Sequence, residues 1–184
     1  HVINTMRDTL PEDPWHPYFA VPDWLQGLIE IGALGEKVKR GVYQKIKNEI
    51  HVLDRAEQTY RVSAAEVDED LKRLLKYSSP AEKFAALHNS QQPQAQFLWS
   101  IFRDLFHYCA VQLETIADNT RDLDLAVRWG FGWNQGPFEI WQAAGWKQIA
   151  SWIQEDIAAG KSMSQAPLPQ WVMTIAESAT QSVH

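Results

Sequence analysis

The stretch Asn119-Thr120-Arg121-Asp122-Leu123-Asp124-Leu125-Ala126-Val127-Arg128-Trp129-Gly130-Phe131-Gly132-Trp133-Asn134-Gln135-Gly136-Pro137-Phe138-Glu139 reads as a helix, a sharp turn and a second helix. Asn119 and Thr120 are residues that cap a helix start. Asp122 and Asp124 then fall in a first turn, where carboxylates suit the positive end of the helix dipole. Gly130 and Gly132 allow a left-handed helix end that a side chain disfavours. Gly136-Pro137 puts proline at the first position of the next helix, where its missing N–H costs nothing. Glu139 stands two residues on, able to accept from the free amides there. The stretch therefore predicts a corner packed with aromatic side chains. Six of the nine tryptophans lie between Trp129 and Trp171, and large aromatics in such density make a tight core or an interface.

On the N-terminal side of the corner the pattern is also helical. Phe97, Ile101, Leu105, Tyr108, Val111 and Leu113 sit near helical spacing in a long helix over about residues 94–117. Asn89-Ser90-Gln91-Gln92-Pro93 is polar and reads as a linker. Ser79-Pro80 opens a shorter helix through Phe84 and Leu87, and Ser63-Ala64-Ala65-Glu66 has the form of a capping box before Leu71, Leu74 and Leu75. Farther back the period changes. Val42-Tyr43 and Ile50-His51-Val52-Leu53, separated by Lys47-Asn48-Glu49, predict a small hairpin, with Tyr60-Arg61-Val62 as a third strand. Pro22 opens a short helix carrying Trp24, Leu25, Leu28 and Ile29, which Gly32 and Gly35 end. Residues 1–10 read as the end of a helix stopped by Pro11.

The two ends of the chain echo each other. Pro22-Asp23-Trp24-Leu25-Gln26-Gly27-Leu28-Ile29-Glu30 aligns with Pro169-Gln170-Trp171-Val172-Met173-Thr174-Ile175-Ala176-Glu177. At the same offset Val2, Met6 and Leu10 face Ile149, Ile153 and Ile157. Amphipathic helices can match in this way by chance; a duplication is the other reading, and it predicts that the front half of the first copy lies before His1. The expected organisation is the end of a first helical copy plus hairpin over 1–62, a helical connector over 63–92, and a second copy over 93–184.

Composition narrows the function classes. With 45% hydrophobic and 22% charged residues, the 184-residue chain is globular in type. Its net charge is −6, with twelve basic against fourteen acidic side chains in residues 1–90 and five against nine in 91–184. That gives no basic face for nucleic acid. No apolar run reaches the roughly 20 residues needed to span a bilayer. The single cysteine, Cys109, excludes an intrachain disulfide framework and fits a cytoplasmic setting. His107 and Cys109 are two apart on a helix, and His51 and His88 are isolated, so no metal site is expected. Ser63, Ser79 and Ser164 lack the glycine setting of a nucleophilic elbow.

The run Asp122-x-Asp124…Gly130-x-Gly132-x-x-x-Gly136-Pro137-Phe138-Glu139 resembles the signature of the C-terminal helical domain of 3-hydroxyacyl-CoA dehydrogenases. With Arg103-Asp104, His107-Tyr108, Ile116-Ala117-Asp118-Asn119 and Trp141-Gln142-Ala143-Ala144-Gly145-Trp146, it is similar to the second, divergent copy found in long proteins that also carry an enoyl-CoA hydratase domain. Pro11-x-Asp13-Pro14-Trp15, Pro22-x-Trp24-Leu25 and Gly32-Ala33-Leu34-Gly35-Glu36-Lys37…Gly41-Val42-Tyr43 resemble the end of the first copy.

The resemblance implies a mainly α fold of the 6-phosphogluconate/3-hydroxyacyl-CoA dehydrogenase type with a small β-hairpin insertion. It implies an oxidoreductase of fatty-acid β-oxidation that uses NAD on an acyl-CoA substrate. The family's Gly-rich dinucleotide turn and its catalytic His and Glu have no counterpart here, so the chain is expected to bind no cofactor and to need the missing NAD-binding domain as a partner. The family's Asn-Arg pair is replaced by Phe97-Leu98-Trp99-Ser100-Ile101, and its Lys-Thr-Gly-x-Gly-Phe-Tyr stretch reads Lys37-Val38-Lys39-Arg40-Gly41-Val42-Tyr43. The motif residues are therefore expected to hold shape rather than to catalyse. Lys37, Lys39 and Arg40 are candidates to meet CoA phosphates, and a homodimer is the further partner implied.

Overall fold

A computed structural model describes residues 1–63 and 66–181, of which 177–181 are described as backbone only. The chain is mainly α and divides into two compact units, residues 1–66 and 67–184. No described helix is long and apolar enough to cross a membrane.

The first unit holds α1 (Val2–Thr9), α2 (Asp23–Glu30) and an antiparallel sheet of β1 (Tyr43–Ile46), β2 (Glu49–Asp54) and β3 (Thr59–Val62) in the order β1-β2-β3. The expected hairpin and third strand are present, with Tyr43 opposite Val52 and Leu53 opposite Tyr60. Pro22 precedes α2 as its cap rather than starting it. Gly32, at φ 69°, ends α2 in the left-handed region, and the Ala33 amide returns to the Leu28 carbonyl at 2.8 Å. Leu28, Ala33 and Leu53 form a small core, with Trp24 and Tyr60 packed against it. Ile29, expected on the buried stripe, is exposed.

The second unit contains α3 (Glu69–Leu75), α4 (Pro80–Asn89), α5 (Pro93–Ile116), α6 (Thr120–Phe131), α7 (Pro137–Ala158) and α8 (Gln170–Gln181). The expected capping box at Ser63 rests on residues 64 and 65, which lie outside the described residues. The helix itself starts later: Asp68 caps α3, its carboxylate accepting from the Asp70 and Leu71 amides. Ser79 caps α4 as expected, with Pro80 at its first position. The polar stretch 89–93 is a short turn, and α4 packs against both α5 and α7. Residues 67–92 thus belong to the same compact unit as α5–α8.

Helix α5 buries a different face from the one its large apolar residues suggest. Phe97 and Ile101 are exposed, whereas Trp99, Arg103, Phe106, Ala110 and Leu113 are buried at helical spacing. The reason lies partly in Asp156 of α7, which binds both the Trp99 indole N–H and the Arg103 guanidinium, so a polar anchor helps to choose the face. The core joins Leu71, Phe84, Leu87, Phe106, Phe138, Trp141, Ile149, Ile153 and Val172. Inside α7 the helix breaks at Gly145 (φ 97°, ψ 91°), a conformation closed to ordinary side chains. The break lets the Trp141 indole N–H donate to the Trp146 carbonyl at 3.0 Å while the two rings stack at 4.4 Å.

The echoing segments of the chain ends are both helical, although Leu28 is buried and the aligned Ile175 is exposed. α2 and α8 both begin directly after a proline and carry tryptophan as their second helical residue.

Candidate functional site

The motif residues meet at the corner between α6 and α7. Asn119 caps α6, its side chain accepting from the Asp122 amide at 3.0 Å and donating to the Asp122 carboxylate at 2.9 Å. α6 runs past Gly130 to Phe131, and Gly132 (φ 69°) supplies the left-handed end. Asp122 lies in the first turn as expected. Asp124 does something the sequence reading did not foresee: its buried carboxylate caps the other helix, accepting from the Phe138 amide at 2.8 Å and the Glu139 amide at 3.1 Å. Glu139 in turn accepts from the Gly136 amide at 2.7 Å and pairs with Arg128 at 3.1 Å. The first free amides of α7 are thereby satisfied by two carboxylates, one borrowed from α6.

Gly136 has an ordinary extended conformation (φ −81°, ψ 171°), so its backbone does not require glycine. Space does. A Cβ there would lie 2.3–2.4 Å from Asp124 atoms. Asp124 and Gly136 are thus a matched pair: the carboxylate can reach the helix start only because nothing projects from residue 136.

The aromatic side chains of the corner divide into two sets. Phe138, Trp141 and Trp146 are buried and stacked, as predicted. Trp129 and Phe131 are 79% and 76% exposed and Trp133 is exposed too, so this end of α6 is not packed as expected. They fall on the last turn of α6 and the loop after it, where the chain leaves the core.

A small cavity of about 310 Å³ opens at the corner, lined by Thr120, Asp124, Phe138, Glu139, Gln142, Trp146 and Ile175. Its two carboxylates are already committed to backbone amides and to Arg128. Burial pushes the Asp124 carboxyl above the ordinary carboxylate value, against the pull of the two amides. The arrangement stabilises a helix start.

Between α5, the end of α7 and the segment before α8 lies a buried polar network. Arg103 binds Asp104 at 2.7 Å and Asp156 at 3.2 Å, and Asp104 accepts from the Met163 amide at 3.0 Å. His107 reaches the Ala166 carbonyl at 2.7 Å, a contact in which the ring Nε2 must carry the hydrogen. Burial lowers the His107 pKa, opposed by that carbonyl, so the ring is neutral at neutral pH. The network pins the segment before α8 onto α5. Arg103-Asp104 and His107 stood in the motif; Asp156 and its role left no signal in the sequence.

The candidate CoA contacts lie in the first unit and do not act alike. Lys39, at φ 55°, lines a groove of about 690 Å³ beside β1, together with Val42, Tyr43, Lys45, Lys47 and Ile50. Lys37 lies in the short 3-10 turn Glu36–Val38 and is not among the lining residues. Arg40 sits over the Tyr60 ring, 5.7 Å from its centre, while the Tyr60 hydroxyl donates to the Gly41 carbonyl. Lys45 and Lys47 were not singled out from the sequence, because their convergence with Lys39 depends on the hairpin.

No family model matches the chain, and no solved structure matches it. Among curated proteins it is 30% identical over 172 residues to a probable 3-hydroxyacyl-CoA dehydrogenase of Bacillus subtilis, an alignment covering 94% of this chain and 21% of that protein. It is 23% identical over 188 residues to a putative fatty acid oxidation complex trifunctional enzyme of Rickettsia felis, covering 93% of this chain and 22% of that protein. The chain therefore spans about a fifth of the length of the curated relatives it matches. Over nearly its whole length, this chain is homologous to one segment of that probable 3-hydroxyacyl-CoA dehydrogenase.

Proposed function

We propose that the chain is the C-terminal helical part of an NAD-dependent 3-hydroxyacyl-CoA dehydrogenase of fatty-acid β-oxidation, working in the cytoplasm. In this reading it shapes one wall of the acyl-CoA cleft and fixes interdomain or dimer-like contacts, with Lys39 the candidate cation that lines a groove able to take CoA. It supplies no catalytic group. The observation that carries the reading is the collinear similarity to a 3-hydroxyacyl-CoA dehydrogenase along 94% of the chain.

NAD does not fit the residues present. Dinucleotide sites of this kind use a glycine turn between a parallel strand and a helix, whereas the described strands form an antiparallel meander and the glycines nearest to a fingerprint, Gly130, Gly132 and Gly136, join two helices. This supports the reading that the nucleotide is held outside this chain. The committed carboxylates at Asp124 and Glu139 also support a shape-holding role for Asp122, Asp124, Gly130, Gly132, Gly136, Pro137, Phe138 and Glu139.

The test has two arms, both read as NADH formed from NAD and L-3-hydroxybutyryl-CoA. The longer polypeptide that carries this sequence is expected to turn over, and the 184-residue chain alone is expected not to. Turnover by the chain alone would sink the claim that it supplies no catalytic group. A longer polypeptide without activity would sink the dehydrogenase reading.

A second reading, a dimerisation module without substrate contact, is favoured by the exposed Trp129 and Phe131. It predicts a dimer in sedimentation that W129S/F131S converts to monomer. A chain that sediments as a monomer before any substitution removes this reading.

A further inference from the structure

Cations are concentrated in one short run of this acidic protein. Residues 36–47 carry five basic side chains and a single acidic one, whereas the whole chain has a net charge of −6. Folding gathers three of the five at one groove. Lys39 comes from the loop closed by the Gly35–Arg40 bridge, Lys45 from β1, and Lys47 from the two-residue turn that joins β1 to β2. Among the described residues none of the three has an ion-pair partner, although Arg7, Arg61, Lys72, Arg73, Arg103, Arg128 and Lys161 all do. Glu36 is the one carboxylate on the groove wall.

The floor between these lysines is apolar. Val42, Tyr43 and Ile50 line it and all three are exposed, Tyr43 at 61% and Ile50 at 59%. Backbone conformation adds an independent mark. The described non-glycine residues with positive φ are Lys39, Lys47 and Gln58, so two of the three are lysines of this groove. A left-handed residue with a side chain costs conformational energy and recurs at functional positions. Glycine would hold either turn with less strain but would carry no charge.

Together these features suit a ligand with an apolar chain and several phosphates. We propose that the groove between the Gly35–Arg40 loop and β1 binds the CoA moiety of a thioester, with Lys39, Lys45 and Lys47 on its phosphates and Val42, Tyr43 and Ile50 against its apolar part. The proposal rests on the acyl-CoA reading above and moves the contact from Lys37 and Arg40 to the hairpin. Arg40, held over Tyr60, braces the loop instead. The groove volume of about 690 Å³ lies within the range of small-molecule sites, roughly 300–1,000 Å³.

Amide chemical shifts of the 184-residue chain, titrated with free CoA, test this. Shifts confined to residues 35–50 are expected, and K39Q/K45Q/K47Q is expected to weaken CoA binding about tenfold, since each exposed charge contact is individually weak. All three side chains are exposed, so the fold should survive; K47G, which also relieves the turn, is expected to weaken binding about twofold to threefold. Pantetheine, which has no phosphate, and inorganic phosphate, which has no chain, are each expected to bind far more weakly than CoA. Equal binding of either probe, shifts elsewhere, or an affinity indifferent to the triple substitution would overturn the proposal. Binding is read without turnover. An inactive longer polypeptide would thus refute the dehydrogenase reading and leave the groove standing, and an active one with lysine-independent CoA affinity would do the reverse.

Discussion

Asp124 shows how far a residue's role can lie from its place in the sequence. Counted along its own helix it reads as a first-turn carboxylate; in the fold it serves the amides of Phe138 and Glu139 fourteen and fifteen residues on. The sequence contained the clue in Gly136, whose small size was explicable as a cap but was actually demanded by Asp124. Gly136→Ala should therefore cost about 1–3 kcal/mol in urea unfolding, as overpacking does, although alanine is at ease at that φ and ψ. A cost near zero would show that the carboxylate moves aside freely. The titration of Asp124 has a definite sign. Its pKa is raised on folding, so the folded state holds the proton more tightly, and its contribution to stability falls as pH rises from the ordinary value of 3.8 through the raised one. Compared with Asp124→Asn, which does not titrate, the parent chain should lose stability across that acid window. An identical pH dependence in both would contradict the assignment.

At the scale of elements, legibility followed chemistry. Turns, caps and the sheet were readable because Asn119, Ser79, Gly132, Gly136-Pro137 and the hairpin act locally. The buried face of α5 was not, because hydrophobicity alone favours Phe97 and Ile101, while the actual face contains an arginine and a histidine. Asp104 on the same helix and Asp156 on another together make burial of Arg103 tolerable. Asp156→Ala removes that partner and the acceptor for Trp99. It is expected to destabilise the second unit by about 3–5 kcal/mol, the range for breaking a buried pair from one side, whereas Lys161→Ala, at the exposed end of the network, should cost under about 1 kcal/mol. Thermal unfolding of the two variants distinguishes this from a network in which all members count equally. The break at Gly145 was equally hidden, since a glycine inside an apolar helical run gives no sign of which way the chain will bend.

The whole molecule pairs, among its described residues, a unit with a broad aromatic core and one with a small core around Leu28, Ala33 and Leu53, where Trp15 is buried too. Their stabilities should differ accordingly, because small domains bury proportionally less surface. Cys109 offers a reporter for the larger one. Burial, helped by the charge of Asp124, pushes its thiol up to about 12, so almost no thiolate exists at neutral pH. Labelling by iodoacetamide should be very slow in the folded chain and should accelerate with urea in step with loss of the second unit, leaving the first unit's transition unmarked. Fast labelling without denaturant would mean that the core opens locally around α5. The candidate site followed a similar division. Lys39 was within reach of sequence reasoning, but its grouping with Lys45 and Lys47 needed the register of β1 on β2. The aromatic density between Trp129 and Trp171 predicted a core or an interface, and the part around Gly130 and Gly132 faces solvent.

The capping of α7 by a carboxylate on α6 also bears on the order in which the chain acquires its structure. Starting a helix is the costly step, since several residues must be fixed before the first hydrogen bond repays them. For α7 that step draws on Asp124, which reaches the Phe138 and Glu139 amides only once α6 has formed and folded back. The two helices should therefore nucleate together. In refolding kinetics, Asp124→Asn and an α6-weakening substitution such as Ala126→Gly should slow folding by similar fractions of their equilibrium effects. If Ala126→Gly acts on folding while Asp124→Asn acts only on unfolding, α7 begins on its own and the shared carboxylate arrives late.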